Sequence, residues 1–346
     1  ATVEGLTATA RYEGIRGNDI TVIVQADPDK GDVFDVITVI DGSVVDEQAV
    51  KTIEELKENA WVKFTGTGAP AETAGQALEG GKDPEVSPSD YAQFLTVLEP
   101  YTFDILVYDG TDSATMQAMA SFVKRVSENV GLKCQAVMAG AETSNSEWVI
   151  SVNNGVKLSD GTELSPQQAT WWLGGAEAGA RYNESLTYAR YPDAIEAFPK
   201  KKDTEISEAI QKGEVVFIDN FGTVKVCTDI NTLTSFSVDK GQEYSKNRVM
   251  RVLNQFCNDV YRQFSLYYIG KVDNNETGRG LLKGWIVGYL NEMQANGGIQ
   301  NFVADDVSVQ AGNSVDSVLV DVALQPVDSI EKIYMTVAVS VNAESV

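Results

Sequence analysis

The amino-acid sequence predicts a multidomain protein of mixed α+β and α/β class. A β-rich domain is expected over residues 1–80, an α/β domain over 81–235 and a C-terminal α+β domain over 236–346. Three observations carry this. Residues 1 to about 67 are short strand-like runs broken by Gly, Asp and Pro. Residues 101–139 read as one strand, helix, strand unit, and two parallel strands need such a crossover. From Ser245 two helical patterns are followed by two stretches of apolar/polar alternation.

In the first region the strand candidates are residues 6–12, 19–26, 33–40 and 43–50. Thr52, with Glu55 three residues on, forms a capping box for a short helix ending near Asn59, and residues 61–65 return as strand. The stretch from Gly14 to Asp19 reads as a turn; no helix follows it to offer an anion a positive dipole. Residues 66–88, rich in Gly, Ala, Pro and Glu, read as a linker or exposed loop. Ser89 or Asp90 then starts a helix with Tyr91, Phe94, Leu95 and Leu98 on one face.

The central unit opens with residues 103–108, a mostly apolar run of the kind found in strands covered on both faces. Asp109-Gly110-Thr111-Asp112 turns the chain, and Ser113 is placed to cap a helix carrying Met116, Met119, Ala120, Val123 and Val126. Gly131 suits its end, and residues 134–138 resume strand. Asn153-Asn154-Gly155 between residues 148–152 and 156–158 signals a hairpin. Ser165-Pro166-Gln167-Gln168 combines an N-cap, Pro at N1 and Gln at N3, so a helix begins there. It runs into Gly174-Gly175-Ala176-Glu177-Ala178-Gly179-Ala180, glycines inside a helix, which favours close helix packing over a phosphate cradle. Lys200-Lys201-Lys202 reads as a solvated loop, Thr204 caps a helix that Gly213 ends, and residues 215–218 and 223–227 form a hairpin around Asp219-Asn220-Phe221-Gly222.

In the C-terminal region Val249, Leu253, Phe256, Val260 and Phe264 mark a long amphipathic helix, with Lys246, Arg248, Arg251 and Arg262 off its apolar stripe. A second helix over 278–296 is closed by Gly297-Gly298. Val318, Val320, Val322 and Leu324 share one strand face, and after Pro326 so do Ile333, Met335, Val337, Val339 and Val341. Residues 333–341 hold no Pro, Gly or charge, which makes an edge strand that is a hazard unless something pairs with it.

Composition narrows the function. A net charge of −23 argues against nucleic-acid partners, whose binding rests on cationic neutralisation of phosphates. No apolar run approaches the roughly eighteen residues of a membrane-spanning helix, so no membrane insertion is expected. Three widely spaced cysteines make a disulfide framework improbable and suit a reducing compartment. The absence of any histidine removes His-dependent triads and the commonest transition-metal ligand. Ser113 and Ser151 therefore lack a histidine base, and there is no Walker A, no Gly-x-Gly-x-x-Gly after a strand and no paired CxxC, so no cofactor is expected. Asp104, Asp109 and Asp112 surround the expected C-terminal end of the first central strand, where open α/β sheets put ligands. They support an alternative reading as an α/β enzyme, hydrolytic or nucleotide-dependent, with a Mg²⁺ or Ca²⁺ site; turn and capping roles explain them equally well.

Five motifs carry a resemblance over nearly the whole chain. They are Tyr12-Glu13-Gly14-Ile15-Arg16-Gly17-Asn18-Asp19-Ile20, then Val216-Phe217-Ile218-Asp219-Asn220-Phe221-Gly222-Thr223-Val224, then Lys246-Asn247-Arg248-Val249-Met250-Arg251-Val252-Leu253. The fourth is Tyr268-Ile269-Gly270-Lys271-Val272-Asp273-Asn274-Asn275, and the last Gln325-Pro326-Val327-Asp328-Ser329-Ile330-Glu331-Lys332-Ile333-Tyr334-Met335-Thr336-Val337. In this order they resemble the contractile tail sheath proteins of phages and prophages. The resemblance implies a β-rich domain, a non-catalytic α/β domain often called subtilisin-like, and a C-terminal domain that holds a polymer together. It implies a non-enzymatic subunit of the virion tail, assembled in the bacterial host cytoplasm. Its partners would be further copies of itself in a helical homopolymer, an inner tail tube, a baseplate and a tail terminator. Contraction would drive the tube through the host envelope. Ile333, Met335, Val337, Val339 and Val341 would then form a strand exchanged between subunits, and Lys246, Arg248 and Arg251 would lie nearest an acidic tube, with local ion pairs as the competing reading. Two departures stand. The family's N-terminal arm and first domain would precede Ala1, so a piece of a longer product is expected. Asp229-Ile230-Asn231-Thr232-Leu233 stands where the family often has a Gly-Ala-Arg-Thr-Leu type sequence, so no role of that arginine carries over.

Overall fold

A computed structural model describes residues 1–3 and 5–338, in two compact units, Ala1–Ser87 and a second beginning at Pro88. The strands of the first unit are β1 (Thr2–Val3), β2 (Leu6–Ala10), β3 (Ile20–Ala26), β4 (Phe34–Ile40), β5 (Ser43–Val50), β6 (Val62–Gly66) and β7 (Thr73–Ala77). They form two antiparallel sheets, ordered β1-β2-β6 and β5-β4-β3-β7. Side chains alternate across a strand, so Leu6, Ala8 and Val62 of one sheet meet Ile20, Val22, Val24, Val36 and Ile40 of the other in one buried core. This is a β-sandwich. Two expectations are corrected here. The helix after Thr52 is a single 3₁₀ turn, Ile53–Glu55: Thr52 makes no capping bond, the Glu55 carboxylate accepts from the Lys51 N–H (2.8 Å), and Ile53 is drawn into the core. Residues 66–88 are not all linker, since β7 pairs with β3 and closes the second sheet's edge.

The second unit opens with α1 (Pro88–Leu98), β8 (Ile105–Tyr108), α2 (Ser113–Arg125), β9 (Gln135–Ala139), β10 (Val149–Val152), β11 (Gly155–Leu158), β12 (Glu163–Leu164) and α3 (Pro166–Gly179). It continues with β13 (Ala194–Phe198), α4 (Asp203–Gln211), β14 (Glu214–Val215), β15 (Phe217–Asn220), β16 (Thr223–Val226), α5 (Asn247–Tyr267), α6 (Glu276–Ala295), β17 (Val307–Ala311) and β18 (Val318–Val322). The organising layer is a parallel sheet ordered β14-β10-β9-β8. Val137, Ala139, Ile150 and Val152 point to one face and pack with Ala169 and Leu173 of α3. Leu106, Tyr108, Ala136 and Met138 point to the other and pack with Leu95 of α1, Met119, Phe122 and Val123 of α2, and Met250 of α5. Both faces are covered, which is why these strands read as nearly continuous apolar runs.

Local signals explain the helix starts. Ser165 and Gln168 form the reciprocal capping box at α3, with Ser165 Oγ accepting from the Gln168 N–H (3.2 Å) and Gln168 Oε1 accepting from the Ser165 N–H (2.9 Å). Within α3, a Cβ on Gly174 would lie 2.3 Å from Val107 Cγ2, so that glycine lets the helix settle onto β8. The cap of α2 is Asp112 and not Ser113: the Asp112 carboxylate accepts from the Thr115 N–H (2.7 Å) and hydroxyl (2.6 Å).

The hairpin expected at Asn153-Asn154-Gly155 does not form. β10 belongs to the parallel sheet, whereas β11 lies in an antiparallel sheet ordered β12-β11-β13. Asn154 does not close a turn; its side chain accepts from the Phe217 N–H (2.9 Å) and donates to the Phe217 carbonyl (3.0 Å). Gly155 serves close approach, because a Cβ there would sit 1.8 Å from the Leu164 carbonyl oxygen. The hairpin of β15 and β16 does form, with Phe221 and Gly222 both at positive φ in its turn.

In the C-terminal part α5 and α6 share a core with β17 and β18, which pair antiparallel. Val318, Val320 and Val322 face that core with Leu324, as their alternation predicts. Residues 333–338 form no strand and pair with no strand among the described residues; Val339 and Val341 lie outside the described residues.

Candidate functional site

The start of α5 gathers the candidate functional side chains Lys246, Asn247 and Arg251. Asn247, its first residue, is fully buried and donates from Nδ2 to Asp229 Oδ1 (2.8 Å), the Ile230 carbonyl (3.0 Å) and Glu177 Oε1 (3.3 Å). Four residues on, and so on the same helix face, Arg251 donates to Glu177 Oε2 (3.0 Å) and to Asp229 Oδ2. Asp229 also accepts from the Leu186 N–H (2.8 Å). These contacts bind three elements, α3, α5 and the segment after β16, through one guanidinium.

The charge count in this site is unbalanced, with one cation against two carboxylates. Burial pushes the Glu177 carboxyl well above its ordinary range, Asp229 adds to this, and Arg251 only partly offsets it. Burial opposes the Arg251 charge, but Asp229 and Glu177 outweigh it and raise its pKa. Glu177 also receives fewer and longer donor contacts than Asp229, in keeping with the upward direction of its shift. Arg251 is thus removed from the surface strip that the sequence suggested: only 8% exposed, it offers no free charge to a partner.

Lys246 is also engaged. Its Nζ pairs with Glu331 Oε2, and Glu331 Oε1 accepts from the Thr187 hydroxyl (2.7 Å). The same Thr187 oxygen accepts from the Asp229 N–H (2.9 Å), which joins this pair to the buried triad. Upstream the chain is pinned by hydrogen bonds from the Gln300 N–H to the Gln325 carbonyl and from the Val327 N–H to the Gly298 carbonyl, both 2.9 Å. Beyond Glu331 the chain makes no further hydrogen bond or ion pair among the described residues. Ile333 is 83% exposed, Met335 77% and Val337 71%, an apolar arm with a fixed base. Of the remaining basic residues, Arg248 is half-buried and reaches the Gly297 carbonyl at 3.5 Å, while Arg262 is exposed and makes no ion pair among the described residues.

The acidic residues do not come together. Asp104 precedes β8 and Asp109 follows it, so they lie at opposite ends of that strand. Asp109 accepts from the Trp171 indole N–H (2.9 Å), and Asp112 is a helix cap held below the usual carboxylate range by its Thr115 hydrogen bonds. Among the described residues no group of three or more His, Cys, Asp or Glu is placed to hold a metal. Ser151 is buried and accepts from the Ala141 N–H (3.0 Å), and Ser113 is the exposed first residue of α2.

Glu177 gives this site a pH signature. Its native pKa stands above its unfolded value, so the folded state holds the proton more tightly. Its stabilising effect is complete below about pH 4.3, the unfolded glutamate value. It is lost as pH rises from there to the raised native value. E177Q removes this loss, so its stability relative to the parent should climb by about 1.4 kcal/mol per pH unit within that window. Urea titrations across the acid-to-neutral range measure it, and a pH-independent difference would show that folding leaves the Glu177 pKa unshifted.

Comparison with known proteins gives the site its context. The phage tail sheath protein beta-sandwich domain matches residues 1–83, the phage tail sheath protein central domain 85–232 and the phage tail sheath C-terminal domain 239–340. The phage-like element PBSX protein XkdK of Bacillus subtilis is 36% identical over 365 residues, which cover 97% of this chain and 78% of that protein. The sheath tail protein of Desulfitobacterium hafniense has a solved structure that superposes with a TM-score of 0.82 at 44% identity, covering 96% of this chain and 79% of that one. The helical sheath of the anti-feeding prophage, solved in its contracted state, shares the fold at 13% identity with a TM-score of 0.58, over 75% of this chain and 78% of that one. From its sandwich to its C-terminal helices, the chain belongs to the phage tail sheath protein family.

Proposed function

We propose that this sheath subunit polymerises through its C-terminal arm around an inner tail tube, and that the polymer contracts to drive the tube through a host envelope. It works by geometry, without catalysis. The observation that carries this reading is the arm itself, an apolar segment with a pinned base and no partner among the described residues. The hairpin of β17 and β18 supports it from the other side. That two-stranded sheet has one face on the core of α5 and α6 and, among the described residues, leaves both edges unpaired, which is what strand addition needs. The partner of the arm is then the hairpin of a neighbouring copy.

Magnitudes suit a reversible link. Burying the five apolar side chains from Ile333 to Val341 contributes about 7 to 15 kcal/mol, at about 1.5 to 3 kcal/mol each. Ordering the segment costs about 9 to 18 kcal/mol of backbone entropy. One arm comes out near zero, and ladder hydrogen bonds add modestly. Copies therefore stay apart until a baseplate or tube templates many contacts together. The likeness in fold to the contracted anti-feeding prophage sheath supports the contractile part of the reading.

The inner tube is read as an acidic partner of Arg248 and Arg262, since Lys246 and Arg251 are committed inside the subunit. The double variant R248E/R262E should hold tubes less well, with a larger loss at low salt than at high salt, because screening hides the contact. An equal loss at both, or none, removes these residues from the tube surface. For the arm, deleting residues 334–346 should abolish sheaths in negative-stain micrographs while the melting transition of the remaining chain stays in place. Long sheaths built by the truncated chain would show that polymerisation runs through another surface.

A further inference from the structure

We propose that Lys246 and Glu331 form a latch that fixes the direction in which the arm leaves its own subunit, and so decides whether it can reach a neighbour. This rests on the reading of the arm as an exchanged strand. The contrast along the chain motivates it: Ile330 is 97% exposed and Tyr334 91%, yet the Glu331 side chain between them is only 11% exposed. Glu331 is the one residue from 330 to 338 that turns into the body of the protein.

What receives it is rigid. Lys246 immediately precedes α5, and its backbone bridges to Ile230. Thr187 supplies the second contact to Glu331 and hands on to Asp229, whose other partners are Arg251, Asn247 and the Leu186 N–H. A carboxylate at the base of the arm is thereby seated on the lysine that precedes α5 and on a threonine bonded to Asp229. Burial on both sides of the pair matters here, because an ion pair in open solvent would contribute little to holding an arm.

The surroundings give the latch something to prevent. Beside Glu331 lies a groove of about 460 Å³ whose lining includes Tyr188, Ile210, Ile230, Leu233 and Phe236. An arm carrying Ile330, Ile333 and Met335 has apolar side chains that this groove would accept. With Glu331 seated, the arm is directed outward; with Glu331 released, it is free to collapse on its own subunit, and that self-contact competes with exchange. Glu331 and Lys246 are in this sense positioning residues for assembly.

Charge exchange in the full chain tests it. K246E and E331K each place like charges together, and K246E/E331K restores an opposite pair. Each single variant should keep its melting temperature within about 4 °C of the parent yet build no sheaths, and the double variant should build them again. Because a single variant could lose its fold, E331Q, which keeps shape and acceptor oxygen, is measured beside them; it should fold and assemble poorly. Folded single variants or E331Q that assemble as the parent does overturn the latch, as does a folded double variant that stays monomeric. If these variants assemble normally while deletion of residues 334–346 abolishes sheaths, the latch alone fails. If the deletion assembles too, the arm reading fails with it.

Discussion

One buried guanidinium holds the second unit together. Arg251 sits between Glu177 of α3 and Asp229 of the segment after β16, and Asn247 completes the site from the preceding helical turn. Breaking such a pair by removing one partner costs about 3 to 5 kcal/mol, because the charge left behind is buried without compensation. A hydrophobic contact would stabilise these elements as well, but it would not define their angles so narrowly. The site does so through donors and acceptors of fixed geometry, and the base of the C-terminal arm is bonded to the same group of residues.

That placement links packing to function. A polymer whose work is mechanical needs rigid bodies joined by segments that pair reversibly. On the proposed reading the rigid body is the parallel sheet with helices on both faces, and the pairing segment is the apolar arm beyond Glu331. The three aspartates around β8 do not converge: Asp109 holds an indole, Asp112 caps a helix and Asp104 lies at the other end of the strand. The glycines of α3 serve contact too, with Gly174 pressed against Val107.

How far the sequence could be read follows the distance over which each element is determined. The start of α3 was legible because Ser165, Pro166 and Gln168 act within one turn, and β8 and β9 because burial on both faces leaves an apolar run. The false hairpin at Asn154 was not, since what overrides its turn chemistry is residue 217, sixty-three positions away. β17 escaped notice as a five-residue alternation of modest apolarity, which only β18 and α6 make a strand. Arg251 looked like a surface charge because its partners are 74 and 22 residues distant. A signal did exist: Val249, Met250 and Val252 crowd that part of α5 with apolar residues, leaving little of its circumference for solvent. The arm was legible as a pattern, and its base was not, because the seat of Glu331 is built from residues 187 and 246.

Residues 333–338 are exposed in the subunit and are proposed to pair in the polymer. Amide hydrogen exchange of this segment, followed in the free subunit and in assembled sheaths, tests this most directly. Unpaired amides exchange at rates near those of an unfolded chain, and amides in a ladder are slowed by the opening free energy of the sheet. Fast exchange is expected in the subunit and strong protection of alternate amides in the sheath. Equally fast exchange in the sheath, or protection already complete in the isolated subunit, would contradict it.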